Sequence, residues 1–305
     1  MPDYSPARLQ AVKSLPVGPG WIYEPKWDGY RGLLVTSSTG RGSVWSRNGK
    51  DLGRYFPELI DLAQRLPRDT VLDGEIVRPT DTGVSFIELQ QRLFAPAAAS
   101  RESPAAFIAF DLLRGGEDMR REKLSVRRLR LEKLVGAAAH QLLQAVTQTT
   151  DRDEAIAWLD ESLTIAGIEG VVAKLDEPYP KPDAKRWRKV RRVATMELAV
   201  RGFIPEGDSV RLVLGHEDSL VGTTYPISGT DLKPLERLIP RSTPADHRVW
   251  APFEDGRRDW YELENAASLL AEVVITTLDS GMLRQPARFV RWRGSDPGLS
   301  SDSNS

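Results

Sequence analysis

Up to about residue 192 the apolar positions fall into short runs, WIYEPKW, RGLLVTSS, TVLDGEIV, AAFIAFDLL and GIEGVVAK, which predict strands. Helical spacing interrupts them. Leu124, Leu131, Leu134 and Val135 share one face of a predicted helix, with arginines on the other. Asp151 followed by Glu154 resembles a capping box, and Ile156, Leu159 and Leu163 continue at helical spacing. This interleaving predicts an α+β domain over residues 1–192. Beyond it the segments MELAVRGFI, SVRLVLGH, AEVVITTLD and ARFVRWR are all strand-like, separated by Gly, Pro, Asp and Ser clusters. Residues 193–295 therefore predict a small all-β domain of a size suited to a five-stranded barrel, and residues 296–305 a flexible tail.

The length, 305 residues, agrees with two domains, and 40% hydrophobic with 28% charged residues is too apolar for wholesale disorder. There is no cysteine, which excludes disulfides, thiolate nucleophiles, Cys-ligated zinc and iron–sulfur clusters. His140, His216 and His247 are too scattered to suggest a histidine-rich metal centre. Chemistry must then rest on Lys, Asp, Glu or hydroxyls. No apolar run approaches the roughly 20 residues that span a bilayer, and MPDYSPARLQ lacks the apolar core of a secretion signal, so the expectation is a cytoplasmic protein with no membrane partner. The net charge of -1 conceals segregation: Arg120–Lys133 holds seven basic residues against two acidic, and Lys181–Arg201 eight against two. One such run reads as a solvated face, whereas two together point to a polyanionic partner.

Glu24-Pro25-Lys26-Trp27-Asp28-Gly29-Tyr30-Arg31 ends a predicted strand on a lysine, then an Asp-Gly turn and an arginine. Taken alone it reads as a hairpin with a solvated lysine. It is followed in order by Ser46-Arg47-Asn48-Gly49, Leu72-Asp73-Gly74-Glu75, Ala109-Phe110-Asp111, Glu169-Gly170-Val171-Val172-Ala173-Lys174 and Trp187-Arg188-Lys189-Val190-Arg191. This ordered set resembles the motifs of the covalent nucleotidyltransferases, and among them the ATP-dependent DNA ligases, with the compact bacterial ligase C and ligase D types most alike. The resemblance covers residues 24–191 and implies an ATP-grasp-like adenylation domain followed by an OB-fold barrel.

By that resemblance Lys26 is the nucleophile that takes AMP from ATP, passes it to a 5′-phosphate at a nick, and leaves the 3′-hydroxyl to seal the strand. Such an amine must lose its proton, and a free lysine with a pKa near 10.4 is neutral in only about one molecule per thousand at pH 7.4. Lys174, Lys189 and Arg191 are expected to supply the positive field and neutralise phosphates. Glu24 is expected to read the adenine amino edge, Phe110 to stack on the purine, Arg31 to meet ribose or phosphates, and Arg47 to hold a phosphate. Glu75 belongs near the ribose and metal, and Glu169 is expected as a ligand of Mg²⁺ or Mn²⁺. A core aromatic remains open for Phe110, and solvated strand-end carboxylates for Glu75 and Glu169.

Arg191 stands where the family commonly has a second lysine, and the closing Asp-x-Lys element is replaced by Arg288-Phe289-Val290-Arg291-Trp292-Arg293-Gly294-Ser295-Asp296. Either Arg291 or Arg293 is a candidate to orient pyrophosphate. Only 25 residues precede Lys26, so the expectation is a chain that grips DNA without the N-terminal DNA-binding domain of large relatives. The expected partners are nicked or broken duplex DNA and a repair polymerase or end-binding protein, around a monomer whose barrel swings between closing on ATP and closing on DNA. The alternatives are an RNA ligase or capping guanylyltransferase, an NAD-dependent ligase, which the absence of cysteine disfavours, and a non-catalytic nucleic-acid-binding relative.

Overall fold

The computed structural model describes residues 4–81, 83–93, 103–160, 167–192, 194–217, 219–251, 256–264, 269–275, 278–279, 281–283 and 285–293. The chain divides between Arg191 and Arg192 into two compact units.

In the first unit a small sheet has the order β1-β9-β8-β2, from β1 (Leu9–Ala11), β2 (Trp21–Trp27), β8 (Ile168–Leu175) and β9 (Trp187–Arg191). A larger sheet has the order β7-β6-β5-β3-β4, from β3 (Tyr30–Thr36), β4 (Gly42–Ser46), β5 (Thr70–Val77), β6 (Ala106–Gly115) and β7 (Leu143–Ala145), with the short strand Glu117–Asp118 off β6. Helices α1 (Pro57–Gln64), α2 (Phe86–Gln91) and α3 (Leu124–Ala138) contribute to the larger sheet's core, where Leu34, Leu72, Ile76, Phe107, Leu112, Phe56, Leu59, Leu62, Leu89 and Leu131 pack together. Because side chains alternate along a strand, Tyr30 and Leu34, or Leu72 and Ile76, face the helices, which leaves Arg31, Asp73 and Glu75 on the opposite face.

The Asp-Gly turn does not make a hairpin. It carries the chain from β2 in one sheet to β3 in the other, so Lys26 and Arg31 belong to different sheets. Two contacts enforce the crossing. Asp28 N–H donates to Gly167 O (3.0 Å), and a Cβ at position 29 would lie 2.2 Å from Ile76 O on β5, closer than any side chain permits.

Helix α3 packs as its apolar spacing predicts through Leu124 and Leu131, but its arginines are not all on the outer face. Arg127 is buried in a two-pronged ion pair with Asp111 on β6, at 2.6 and 2.8 Å, and donates further to the carbonyls of Glu122 and Glu177. Arg120 pairs with Asp118, Arg128 with Glu132 and Arg130 with Glu117. Four of the seven basic residues in this run therefore meet acidic partners within the unit, which weakens the inference of a polyanionic surface here. The helix expected after Asp151 is α4 (Arg152–Ala157), with Asp151 capping the N–H groups of Asp153 and Glu154. It is shorter than predicted: Ile156 is exposed, Leu159 follows the helix, and Leu163 lies outside the described residues.

The second unit is all-β among its described residues apart from 3₁₀ turns. Strands β10 (Ala194–Glu206), β11 (Ser209–His216) and β12 (Ser219–Thr223) form an antiparallel ladder, and β10 also pairs with β13 (Leu270–Ile275), which pairs with β14 (Arg288–Arg293). A register shift between Val200 and Gly202 lies where β10 passes from its β13 ladder to its β11 ladder. Gly202 is required there, since a Cβ would lie 2.1 Å from Tyr261 O. The expected tail and Gly294-Ser295-Asp296 lie outside the described residues.

The buried pair gives a stability prediction. Arg127→Ala should destabilise the first unit by about 3–5 kcal/mol, because it leaves the Asp111 carboxylate buried and uncompensated. Arg128→Ala, at a partly exposed i,i+4 pair, should cost under about 1 kcal/mol. Urea unfolding of both variants checks this, and equal midpoints would contradict it.

Candidate active site

The facing surfaces of the two sheets line a cleft. Glu24, Lys26, Lys174 and Trp187 reach it from the small sheet, and Arg31, Glu75 and Phe110 from the larger one.

Regular alternation explains most of the small sheet. In β8, Val171 and Ala173 pack with Tyr23 and Val190 on the far side, so Val172 and Lys174 face the cleft. Glu169 should by the same rule point away. It does not, because the β8–β2 register slips between Ile168, paired with Trp27, and Gly170, paired with Lys26. Glu169 is the extra residue of this bulge, and bulges re-aim side chains. Its carboxylate turns onto Lys26, whose Nζ donates to Glu169 Oε1 in an ion pair. Gly170 lets the strands close: a Cβ there would lie 2.2 Å from Val190 O. Lys26 is only 14% exposed, so the solvated-lysine alternative does not hold.

Around this pair lie the other cations. Arg191 Nε stands 4.0 Å from Glu169 Oε2, and this buried nitrogen has no hydrogen-bond partner. Burial, then the charges of Arg191, Lys26 and Arg47, hold the Lys189 ammonium below its usual pKa despite Glu169. Across the cleft, burial raises the Glu75 carboxyl to about 7, although Lys26 and Arg31 work against the shift. Glu75 and Glu169 thus offer hard oxygen donors from opposite walls. Glu75 in particular is a carboxylate whose charge the chain compensates poorly, and this donor set fits a divalent cation that keeps phosphate oxygens and water in its shell.

Lys174 departs from expectation. It does not join the Lys189 and Arg191 cluster but is buried at the other end of the cleft, 2.7 Å from Glu24 Oε2, with its Nζ 4.1 Å from the ring centre of Trp187 and 4.7 Å from that of Phe110. Gln148 donates to the other oxygen, Glu24 Oε1, at 2.6 Å. Burial nonetheless raises the Glu24 pKa, with Lys174 and Gln148 opposing.

Arg31 is held by the protein itself. Its Nε and Nη2 donate to Asp73 at 3.0 and 2.7 Å, Nη2 also to Tyr179 Oη, and Nη1 to Ala7 O. Burial works against the cation, and Asp73, Tyr179 and Glu75 more than offset it, so the guanidinium stays charged. Tyr179 Oη accepts from Ala7 N–H and donates to Asp73 at 2.5 Å, tying the N-terminal segment to the site. Strand β1 continues this tie by pairing Leu9 with Trp187 and Ala11 with Lys189. Tyr179, Gln148 and Ala7 were not anticipated, since their contacts join positions far apart in the chain. Asp73 and Trp187 were visible inside quoted motifs without a role. In the second unit Arg291 and Arg293 both donate to Glu272 Oε2 at 2.6 Å, so neither is singled out.

Residues 9–191 match the family described as the ATP dependent DNA ligase domain. DNA ligase C of Mycobacterium tuberculosis is 31% identical over 96% of this chain and 90% of its own length. The bifunctional non-homologous end joining protein LigD of Bacillus subtilis is 31% identical over 64% of this chain, which corresponds to 35% of that protein. Among solved structures, mycobacterial DNA ligase D complexed with ATP and MES is similar over 95% of both chains, with 27% identity and a TM-score of 0.55.

The protonation of Glu75 can be read from stability. Its folded pKa of about 7 exceeds its ordinary value of 4.5, so the cost of ionising it is absent below about pH 4.5 and fully present once pH has risen through 7. In metal-free buffer, the melting temperature of Glu75→Gln relative to wild type should rise between about pH 5 and pH 8. A difference independent of pH would contradict the assignment.

Proposed function

Because the chain belongs to the ATP-dependent DNA ligase family, we propose that it seals breaks in duplex DNA through an AMP carried on Lys26. Lys26 Nζ attacks the α-phosphorus of ATP, the bond from that phosphorus to its bridging oxygen breaks, and pyrophosphate leaves. AMP then passes to the 5′-phosphate at the break, and attack by the 3′-hydroxyl joins the strand and releases AMP. The observation that carries this reading is the Lys26–Glu169 pair on the wall of a cleft, among cations and carboxylates. Attack needs the lone pair of the amine, so a proton must leave as the N–P bond forms, and Glu169 is already hydrogen-bonded to that ammonium.

Lys189, Arg47 and Arg191 bind and orient the triphosphate, with Arg191 placed beside Glu169 and its Nε making no hydrogen bond within the protein. Arg31, locked by Asp73, keeps one wall charged and fixed. Glu75 and Glu169 would hold Mg²⁺ or Mn²⁺, which would supply charge neutralisation at the transferring phosphate. The aromatic end, with Phe110 and Trp187, takes the base.

We read the second unit as an oligonucleotide-binding barrel, on its antiparallel ladders and bent strand β10. Exposed Lys181 and Lys185 extend the basic run toward a phosphate backbone. Similarity to an end-joining LigD supports a role in break repair.

Incubation with ATP and Mg²⁺ should add one AMP to the wild type by intact mass and none to Lys26→Ala, which should also fail to seal nicked DNA. An adduct of equal yield on the variant would remove Lys26 as nucleophile. Affinity for nicked duplex should fall steeply with salt, and Lys181→Ala with Lys185→Ala should flatten the log–log slope by about 1–2. A slope unchanged by both substitutions would take these lysines off the DNA path.

A further inference from the structure

The base end of the cleft holds one buried carboxylate and one buried ammonium side by side. Glu24 is 2% exposed and Lys174 1%. Each keeps capacity beyond the contacts already made. An ammonium has three donors, and Lys174 uses two, on Glu24 Oε2 and on Phe110 O at 3.3 Å. A carboxylate has about four acceptor sites, and Glu24 accepts one hydrogen bond at each oxygen. An acceptor and a donor are therefore presented together beside the rings of Phe110 and Trp187. This order complements the edge of adenine, whose 6-amino group donates and whose N1 accepts.

The pattern survives only if Glu24 is kept from turning both oxygens onto Lys174. Gln148 prevents this by donating to Oε1, and its own position is fixed from both sheets. Val146 N–H donates to Ala109 O on β6 at 2.8 Å, and Thr149 exchanges two hydrogen bonds with Tyr23 on β2, at 2.8 and 3.0 Å. Those anchors are the chain neighbours of Phe110 and Glu24. Because Glu24 Oε1 accepts, the amide nitrogen of Gln148 must face it, which fixes the orientation of the amide.

We propose that Gln148 is a positioning residue for base recognition, holding the Glu24 carboxylate so that, with Lys174, it presents an acceptor and a donor to the 6-amino edge of ATP. The proposal rests on the cleft being the nucleotide site. Gln148 does not line the cleft, and so acts through Glu24.

The test is self-nucleotidylation of the full chain with ATP and with purine riboside triphosphate, which lacks the 6-amino group. Wild type, Gln148→Leu and Gln148→Glu are compared. The wild type should prefer ATP to the purine analogue by about tenfold or more, the scale of a hydrogen bond to a charged group. In Gln148→Leu the apparent KM for ATP should rise by about that factor with the maximal rate changed less than about twofold, and the preference for ATP over the purine analogue should shrink. Gln148→Glu should lose the preference at high pH and regain part of it at low pH, where a protonated carboxyl can donate as the amide does. If Gln148→Leu fails to fold, Gln148→Glu and the wild-type comparison still decide. A wild type indifferent to the 6-amino group, or variants with unchanged preferences, would overturn the proposal. A wild type that forms no adduct with ATP would instead overturn the nucleotidyl-transfer reading itself.

Discussion

A lysine and a glutamate on adjacent antiparallel strands meet in this cleft because their ladder slips by one residue between Ile168 and Gly170. Without the slip, Glu169 would share the face of Val171 and Ala173 and enter the apolar cluster around Tyr23. A lone carboxylate there would be costly, and the Lys26 amine would lose its nearest acceptor. Gly170 makes the slip sterically possible, since its missing side chain is what lets Val190 O approach. The Asp-Gly crossing imposes the complementary constraint. It sends the chain from the sheet of Lys26 to the sheet of Arg31, so one short motif supplies both walls of the site.

The cleft is polar in two different ways along its length. At one end cations outnumber carboxylates, and burial raises the Glu75 carboxyl to about 7. At the other end a matched pair, Glu24 and Lys174, is enclosed by aromatic rings and braced by Gln148. In the proposed reaction the first end handles phosphates and the second holds the base. Both are held by hydrogen bonds the protein makes to itself, through Asp73 and Tyr179 on Arg31 and through Val146 and Thr149 beside Gln148. Such preorganised dipoles and charges need little rearrangement when a substrate arrives.

Local patterns were legible in the chain. WIYEPKW, TVLDGEIV and SVRLVLGH coincide with β2, β5 and β11 because period-two alternation and β-branched content are local properties. The partners of charged groups were not legible. Arg127 looked like a member of a solvated basic face, yet its carboxylate, Asp111, lies 16 positions upstream on a strand. Lys174 sits in the same motif as Glu169, but the bulge turns one toward Lys26 while regular alternation turns the other toward Glu24. Tyr179 and Gln148 carried no signal at all, since each acts across more than 100 positions of sequence. The predicted continuation of α4 failed for a related reason: its spacing suggested a buried face, whereas Ile156 meets solvent.

Three lysines, Lys26, Lys174 and Lys189, stand on the strands that wall this cleft, and the account assigns the covalent bond to only one. Tandem mass spectrometry of the proteolysed AMP adduct tests that assignment most directly. The account predicts AMP on the side-chain nitrogen of Lys26, with Lys174 and Lys189 unmodified. AMP found on either of the other two lysines would contradict it.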